Sequence, residues 1–152
     1  MDKRVVITGL GAITPIGKNV EENWNSIKEK KCGIDEITLF NTENFKTKLA
    51  AEVKEYNPLE HFEAKQAKRL DRYSQFAIIA AREAVKSSEI SKENTDFNRV
   101  GIFVSSGIGG LTTIQEQCRI DNEKGNKRVS PMFIPMSIAN MPSGNIAIEF
   151  GF

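Results

Sequence analysis

The stretch RVVITGLGAITPIG, residues 4–17, decides how the chain begins to fold. Residues 5–7 are consecutive β-branched residues, and so short an apolar run is typical of a strand buried on both faces of a parallel sheet. The glycine-rich turn behind it could serve a nucleotide phosphate, but that motif needs a third glycine or alanine where a helix starts. Thr14 stands there instead, and Pro15 after it disfavours helical backbone at Thr14. The turn therefore argues against a bound dinucleotide.

Length and charge exclude several classes of protein. The 152 residues suffice for one domain with a core. With 21 basic and 20 acidic residues the chain has no bulk charge that would attract nucleic acid or an anionic membrane. No apolar run approaches membrane-spanning length, and no signal-peptide core follows the start. Cys32 and Cys118 lack metal-ligand spacing, which predicts incidental thiols in a reducing cytoplasm, with a nucleophile as the alternative.

The hydrophobic periodicity predicts alternating strands and helices. Helices are expected over residues 20–30, 71–88 and about 111–122, and strands over residues 49–53 and 99–106. The apolar faces of the first two helices are predicted to be Val20, Trp24 and Ile27, then Tyr73, Phe76, Ala77, Ala80, Ala84 and Val85. Asp71 is the expected N-cap of the second helix. Strand–helix alternation predicts an α/β layer with a mostly parallel sheet.

The end of the sequence, MFIPMSIANMPSGNIAIEFGF at residues 132–152, is apolar and almost uncharged. It predicts a helix from residue 136 onward with a kink at Pro142. Such a helix is too apolar for a solvent face, so it must pack against a partner or further chain. The pattern is typical of an interrupted domain.

Four motifs, in order and spacing, resemble those of the elongating β-ketoacyl-acyl-carrier-protein synthases of type II, the condensing enzymes of fatty acid biosynthesis. They are VVITGLGAITPIG (5–17), LDRYSQFA (70–77), VSSGIGGL (104–111) and SPMFIPMSIANM (130–141). The resemblance covers residues 3–152. It implies a thiolase-like, layered α-β-α fold with a mostly parallel sheet. Residues 1–152 would be its incomplete N-terminal half, truncated before the catalytic cysteine elbow. In that family the GLG turn is structural.

The resemblance implies a decarboxylative Claisen condensation without a cofactor or metal. A cysteine takes the acyl chain as a thioester, and malonyl-carrier protein loses CO₂ to give the attacking carbanion. This chemistry needs a thiolate, an oxyanion hole and two histidines. The T-A-C-x-x-G elbow and both histidines are expected beyond Phe152. His61, the one histidine present, matches no catalytic motif, so no catalytic residue is predicted within the chain.

The same resemblance implies an acyl-chain pocket. Ile108 matches the position that gates it, and Leu111 is expected to line it. Phe133 and Ile134 match residues that reach across a homodimer interface into the neighbouring pocket. The alternative for all four is ordinary core packing, which is the usual role of apolar residues at loop–helix junctions.

A basic stripe predicts a docking surface. Lys65, Lys68, Arg69 and Arg72 follow i, i+3, i+4, i+7 spacing, which predicts one helix face. The resemblance implies that Lys65, Lys68 and Arg69 dock the acidic acyl carrier protein, with a solvated helix face as the alternative.

Three functions remain in competition from the sequence. The first is the N-terminal part of a synthase whose partners are acyl carrier protein, acyl and malonyl thioesters and a second copy in a homodimer. The second is a non-catalytic, chain-length-factor-like or truncated partner that dimerises or docks carrier protein. The third is a nucleotide-binding domain.

Overall fold

The computed structural model describes residues 3–152. Their helices and strands, in chain order, are α1 (Val20–Lys28), β1 (Ile34–Glu36), β2 (Leu49–Ala51), α2 (Ala64–Ala67), α3 (Arg72–Ser88), α4 (Leu111–Lys124), α5 (Phe133–Ser137) and α6 (Met141–Phe150). Short 3₁₀ turns lie at Pro58–Glu60, Phe97–Arg99 and Asn126–Arg128. No helix among the described residues is long and apolar enough to cross a membrane.

The chain divides into two units. The first runs up to Tyr56 and includes Arg82–Glu89, and the second comprises Asn57–Ala81 and Ile90–Phe152. All apolar core side chains among residues 3–152 belong to the second unit: Phe62, Ile78, Ile79 and Ile146. The first unit buries polar side chains instead, namely those of Asn23, Ser26 and Glu52.

Helix α1 packs through its polar face against the turn that precedes it. Asn19 caps it by accepting a hydrogen bond from Glu22 N at 2.8 Å. Asn23 Nδ2 donates to Gly17 O at 3.0 Å, and Ser26 Oγ donates to Ile16 O at 2.6 Å. The predicted apolar face is therefore wrong, since Trp24 and Ile27 are 60% and 56% exposed. The hydrogen-bonding needs of the preceding turn decide which face of α1 lies inward.

The first unit also holds an antiparallel hairpin, in which Ile34 of β1 pairs with Ala51 of β2. Just after β2, the buried Glu52 carboxylate accepts from Thr38 N at 2.9 Å, Thr38 Oγ1 at 2.8 Å and Leu39 N at 3.2 Å. These hydrogen bonds lower the pKa of Glu52 below its ordinary value, and the largest effect comes from the Thr38 backbone N–H. The Thr38 hydroxyl and Leu39 N add to it, whereas desolvation of the carboxylate opposes it. On β1, the Asp35 pKa is also lowered, chiefly by the Lys54 ammonium 2.6 Å away.

Two predicted strands are not formed. Residues 5–7 and 99–106 pair with no strand in the described part of the chain, whose one sheet is the β1–β2 hairpin. Val5, Ile7 and Phe103 are 91%, 83% and 98% exposed. A strand of a parallel sheet needs neighbours for its hydrogen bonds and layers over both faces. These segments have the composition of such strands without those neighbours.

Helix α3 extends over the predicted residues, but its buried face is rotated from the predicted one. Ser74, Gln75, Ile78 and Ile79 are its buried residues, whereas the predicted apolar stripe from Tyr73 to Val85 is only half-buried. The polar Gln75 lies inward because its side-chain amide donates to the backbone carbonyls of Ala67 and Leu70, which precede the helix.

The C-terminal stretch forms two helices. Helix α5 ends at Ser137, and α6 begins at Met141 with Pro142 in its first turn. Proline is favoured there because its missing N–H would have no intrahelical partner. The predicted kink at Pro142 is thus replaced by a helix start.

Candidate functional site

The three residues predicted to dock a carrier protein lie in a short exposed stretch that comprises part of α2 and the residues just after it. Lys65 belongs to α2, Lys68 is its C-cap and Arg69 follows. All three are exposed. No carboxylate within residues 3–152 forms a salt bridge with them. This basic segment (Lys65, Lys68 and Arg69) therefore presents unpaired positive charge.

The four basic residues do not share one helix, contrary to the sequence prediction. Gln75 Nε2 donates to Ala67 O and Leu70 O, both at 3.0 Å, and so takes carbonyls that a continuing helix would use. Helix α2 ends there, and α3 begins at Arg72. The Arg72 guanidinium lies 5.0 Å from the centre of the Phe76 ring, where it makes a cation–π contact.

A cavity of about 630 Å³ lies beside the basic segment, with Lys65 and Arg69 in its lining. Glu63 and Glu149 also line it, so its charged groups balance. Apolar side chains supply much of the remaining wall: Leu70, Ile78, Met132, Pro135, Met141 and Ile148. Because the charges balance, this cavity does not favour an anionic ligand.

The GIGG turn (Gly107–Gly110) packs against the end of α5. Gly110 N donates to Ser137 O at 2.8 Å. A Cβ on Gly109 would lie 2.2 Å from Ser137 O, and one on Gly110 would lie 2.4 Å from Met136 O. Gly109 also has φ of +87°, which favours glycine. Two of the three glycines are thus required by close backbone approach, whereas a Cβ on Gly107 would meet nothing within 4 Å.

The start of α4 is held by a carboxylate from the start of α3. Asp71 Oδ2 accepts from Thr113 N at 3.0 Å and from Thr113 Oγ1 at 2.6 Å. Asp71 Oδ1 accepts from Tyr73 N at 3.3 Å, which confirms Asp71 as a cap of α3. Tyr73 Oη in turn donates to Ile138 O at 2.6 Å, just after α5. The role of Thr113 was not predicted from the sequence.

The four predicted pocket residues lie on elements that are close to one another in the fold. Leu111 begins α4, Phe133 and Ile134 begin α5, and these two helices are in contact. Ile108 lies in the adjoining GIGG turn. Ile108, Leu111 and Ile134 are 63%, 56% and 57% exposed, and Phe133 is half-buried. Among residues 3–152, therefore, three of the four are exposed and none is fully buried.

A carboxylate of the chain itself, that of Glu83, accepts hydrogen bonds at the glycine turn of residues 9–17. Glu83 accepts from Ala12 N through Oε2 and from Val20 N through Oε1, both at 2.9 Å. Val20 is the first residue of α1, so the carboxylate occupies the helix N-terminus that a phosphate would need. Gly9 serves close packing, since a Cβ there would lie 2.2 Å from Ala84 O. The geometry agrees with a structural turn and gives no support to nucleotide binding.

Within residues 3–152 the remaining cysteine and histidine side chains are isolated from one another. Cys32 and Cys118 are exposed free thiols. His61 ends the Pro58–Glu60 turn, with its ring 6.4 Å from that of Phe62. Among the described residues no three His, Cys, Asp or Glu side chains are grouped so as to hold a metal ion.

Comparisons with known proteins agree on one family. The sequence pattern described as "Beta-ketoacyl synthase, N-terminal domain" matches residues 2–152. A "3-oxoacyl-[acyl-carrier-protein] synthase 2" of Staphylococcus aureus (strain N315) is 43% identical over 150 residues, which are 99% of this chain and 36% of that protein. The protein of the same name from Synechocystis sp. (strain ATCC 27184 / PCC 6803 / Kazusa) is 40% identical over 149 residues, 98% of this chain and 36% of its own. The chain thus spans about a third of the length of these curated relatives.

Solved structures give the same result for the fold. A type II polyketide ketosynthase in complex with its acyl-carrier protein ("AntDE:AntF") has a TM-score of 0.79 at 24% identity, over 99% of this chain and 40% of that chain. "The ishigamide ketosynthase/chain length factor" has a TM-score of 0.77 at 27% identity, over 95% of this chain and 36% of that chain.

Proposed function

This chain belongs to the β-ketoacyl synthase family, and on that premise we propose that it is the N-terminal part of a 3-oxoacyl-acyl-carrier-protein synthase of fatty acid biosynthesis. The whole enzyme would elongate acyl thioesters by decarboxylative condensation with malonyl-carrier protein. The observation that supports this most is the match of the family pattern over residues 2–152, together with 43% identity to a synthase 2 over almost the entire chain. The nucleophilic cysteine and two histidines would lie outside these residues.

We propose that this chain contributes the binding of acyl carrier protein and the selection of the acyl chain. The basic segment would dock acyl carrier protein. Ile108 and Leu111 would line the acyl pocket, and Phe133 and Ile134 would meet a second copy in a homodimer. The exposure of all of these residues except the half-buried Phe133 supports this division, because side chains open to solvent in the chain alone are available to a partner or to further chain. The two free thiols agree with a cytoplasmic location.

The docking proposal is tested by charge reversal with a matched control. The test variant changes Lys65, Lys68 and Arg69 to glutamate. The control changes Lys124, Lys127 and Arg128, which repeat the same residue types at the same spacing and are likewise exposed. Both variants alter the net charge equally, so a difference between them reports position and not bulk charge.

We expect the test variant to bind holo-acyl carrier protein about tenfold or more weakly than the wild-type chain, since several exposed charges act together. The control should bind almost as the wild type does. Wild-type affinity should fall with salt, because charges further apart than about 8 Å are screened at physiological ionic strength. Titration calorimetry measures the dissociation constants. Equal losses in both variants would show that the basic segment has no special role.

A second candidate is a non-catalytic partner of a ketosynthase, which the similarity to a ketosynthase/chain length factor structure favours. The two candidates differ at one position of the whole protein. A cysteine in its T-A-C-x-x-G elbow indicates the enzyme, and another residue there indicates the non-catalytic partner. Tryptic peptide mapping of the whole protein after thiol alkylation identifies that residue.

A further inference from the structure

One carboxylate, that of Asp71, serves the first turns of two helices. Asp71 is 7% exposed. Its Oδ1 accepts from Tyr73 N in α3, and its Oδ2 accepts from both the N–H and the hydroxyl of Thr113 in α4. The first N–H groups of a helix have no intrahelical partner and lie at its positive end. A buried negative charge placed between two such ends therefore stabilises both helix starts.

Helix α4 depends on this external cap because its own N-cap is Gly110, which has no side chain to accept a bond. Asp71 supplies the missing acceptor from 42 positions earlier in the chain. A Cβ on Gly110 would lie 2.9 Å from Asp71 Oδ2, so the carboxylate also lies against the GIGG turn. Ser137 O holds the same turn through Gly110 N. Ser137 O thus bonds the turn itself, and Asp71 bonds the first turn of the helix that follows it.

Ile108 lies just before these bonded positions and is open to solvent. Its side chain is 63% exposed, and the neighbouring Gly107 has no atom within 4 Å of its Cβ position. The arrangement thus combines a hydrogen-bonded backbone after Ile108 with an exposed side chain at Ile108 itself.

We propose that Asp71 is a positioning residue for acyl-chain selection: through Thr113 it fixes the GIGG turn and so sets where Ile108 stands in the pocket. The proposal rests on the pocket role given to Ile108 above.

Hydrogen exchange in the 152-residue chain tests the first step. Asp71→Asn replaces the charged acceptor, and Thr113→Val removes the hydroxyl donor but keeps the N–H. Thr112→Val is the matched control, because it makes the same substitution one position earlier at an exposed site without a bond to Asp71. We expect the amides of residues 109–113 to exchange about tenfold faster in Asp71→Asn, less so in Thr113→Val, and unchanged in Thr112→Val.

Acyl-chain selectivity of the whole synthase tests the second step. The readout is the ratio of kcat/KM for a long and a short acyl thioester, which a uniform loss of folded enzyme does not move. We expect Thr113→Val to change this ratio by about threefold or more, Thr113→Ser to restore it, and Thr112→Val to leave it unchanged. Ile108→Phe, which overfills the proposed pocket, should shift the ratio toward short chains and serves as the positive control.

Three results overturn the proposal or its premise, and they are distinguishable. Unchanged exchange in both Asp71→Asn and Thr113→Val shows that Asp71 does not fix the turn. In a second result, amide exchange is faster in Asp71→Asn and Thr113→Val, but Thr113→Val leaves the kcat/KM ratio unchanged while Ile108→Phe shifts it. Asp71 then has a structural role only. An unchanged ratio in Ile108→Phe overturns the pocket role itself, and the exchange result then still decides whether Asp71 fixes the turn.

Discussion

Gly109 is a residue at which one added methyl group would meet both backbone strain and a steric clash. Its φ of +87° is strained for any other residue, and a Cβ would lie 2.2 Å from Ser137 O. We expect Gly109→Ala to lower the free energy of unfolding by about 1–3 kcal/mol from backbone strain, with the clash adding to it. Urea denaturation followed by far-ultraviolet circular dichroism measures the change.

Gly107→Ala is the control for this substitution, because it adds the same methyl group to the same turn where nothing lies within 4 Å. Its free energy of unfolding should remain within about 0.5 kcal/mol of the wild type. Equal stabilities of the two variants would contradict the close packing of the turn against Ser137.

For single residues, the sequence predicts those contacts that form between close neighbours along the chain. Asp71 was predicted as the N-cap of α3, and Tyr73 N confirms it, because the cap and its donor are two positions apart. Its bonds to Thr113 join residues 42 positions apart, and no local pattern signals such a pair. The glycine N-cap of α4, which lacks an acceptor, is the one hint that a distant residue must supply it.

Among the elements, the β1–β2 hairpin should respond to acid through Glu52. Its pKa lies below the ordinary value of 4.5, so the carboxylate stabilises the folded state in full above that pH. This contribution is lost as the pH falls through the lowered value, when protonation removes an acceptor from Thr38 and Leu39. We expect their amides to exchange faster there, after correction for intrinsic rates, and Glu52→Gln to abolish that dependence.

Two variants isolate the effect of Glu52. Asp35 of the same hairpin also has a lowered pKa, owing to Lys54, so Asp35→Asn measures its separate share. Glu43→Gln changes an exposed carboxylate in the same unit that makes no bond to Thr38 or Leu39. An acid response that persists in Glu52→Gln would assign it to another group.

Elements whose signals are local were predicted well, and those that need distant partners were not. The ends of α1, α3 and α4 follow caps and periodicity close to the predicted positions, and β2 lies within its predicted range. The prediction of one helix through the four basic residues was wrong, because Gln75 donates to the carbonyl of Ala67, eight residues earlier, and to that of Leu70. Residues 5–7 have strand composition, but a strand forms only when another segment pairs with it.

For the whole molecule, the fold class was predicted correctly, as the ketosynthase structures confirm. The parallel sheet implied by that class is not formed by residues 3–152, whose sheet is a two-stranded antiparallel hairpin. The apolar segments around Val5 and Phe103 stay exposed for the same reason. Fold recognition depends on the course of the backbone, whereas an assigned strand also needs a hydrogen-bonded neighbour, which these two segments lack among residues 3–152.

We expect the 152-residue chain to catalyse no malonyl-dependent elongation. The family resemblance calls for two histidines and a cysteine elbow, whereas the sequence holds one histidine and two exposed, isolated thiols. The measurement is ketoacyl product formation from acyl and malonyl carrier protein, with a full-length synthase 2 as the positive control. Turnover above the blank, once contaminating synthase is excluded by mass spectrometry, would contradict this.

The outward face of α1 has a practical consequence for spectroscopy. Trp24 is the one tryptophan of the chain and is 60% exposed. Its fluorescence in the folded state should already have the long-wavelength maximum of an indole in water, so emission would change little on unfolding. Tyr73 is a better optical probe, since its hydroxyl is bonded to Ile138 O when folded. Melting followed by tryptophan emission alone would therefore miss a transition that tyrosine absorbance detects.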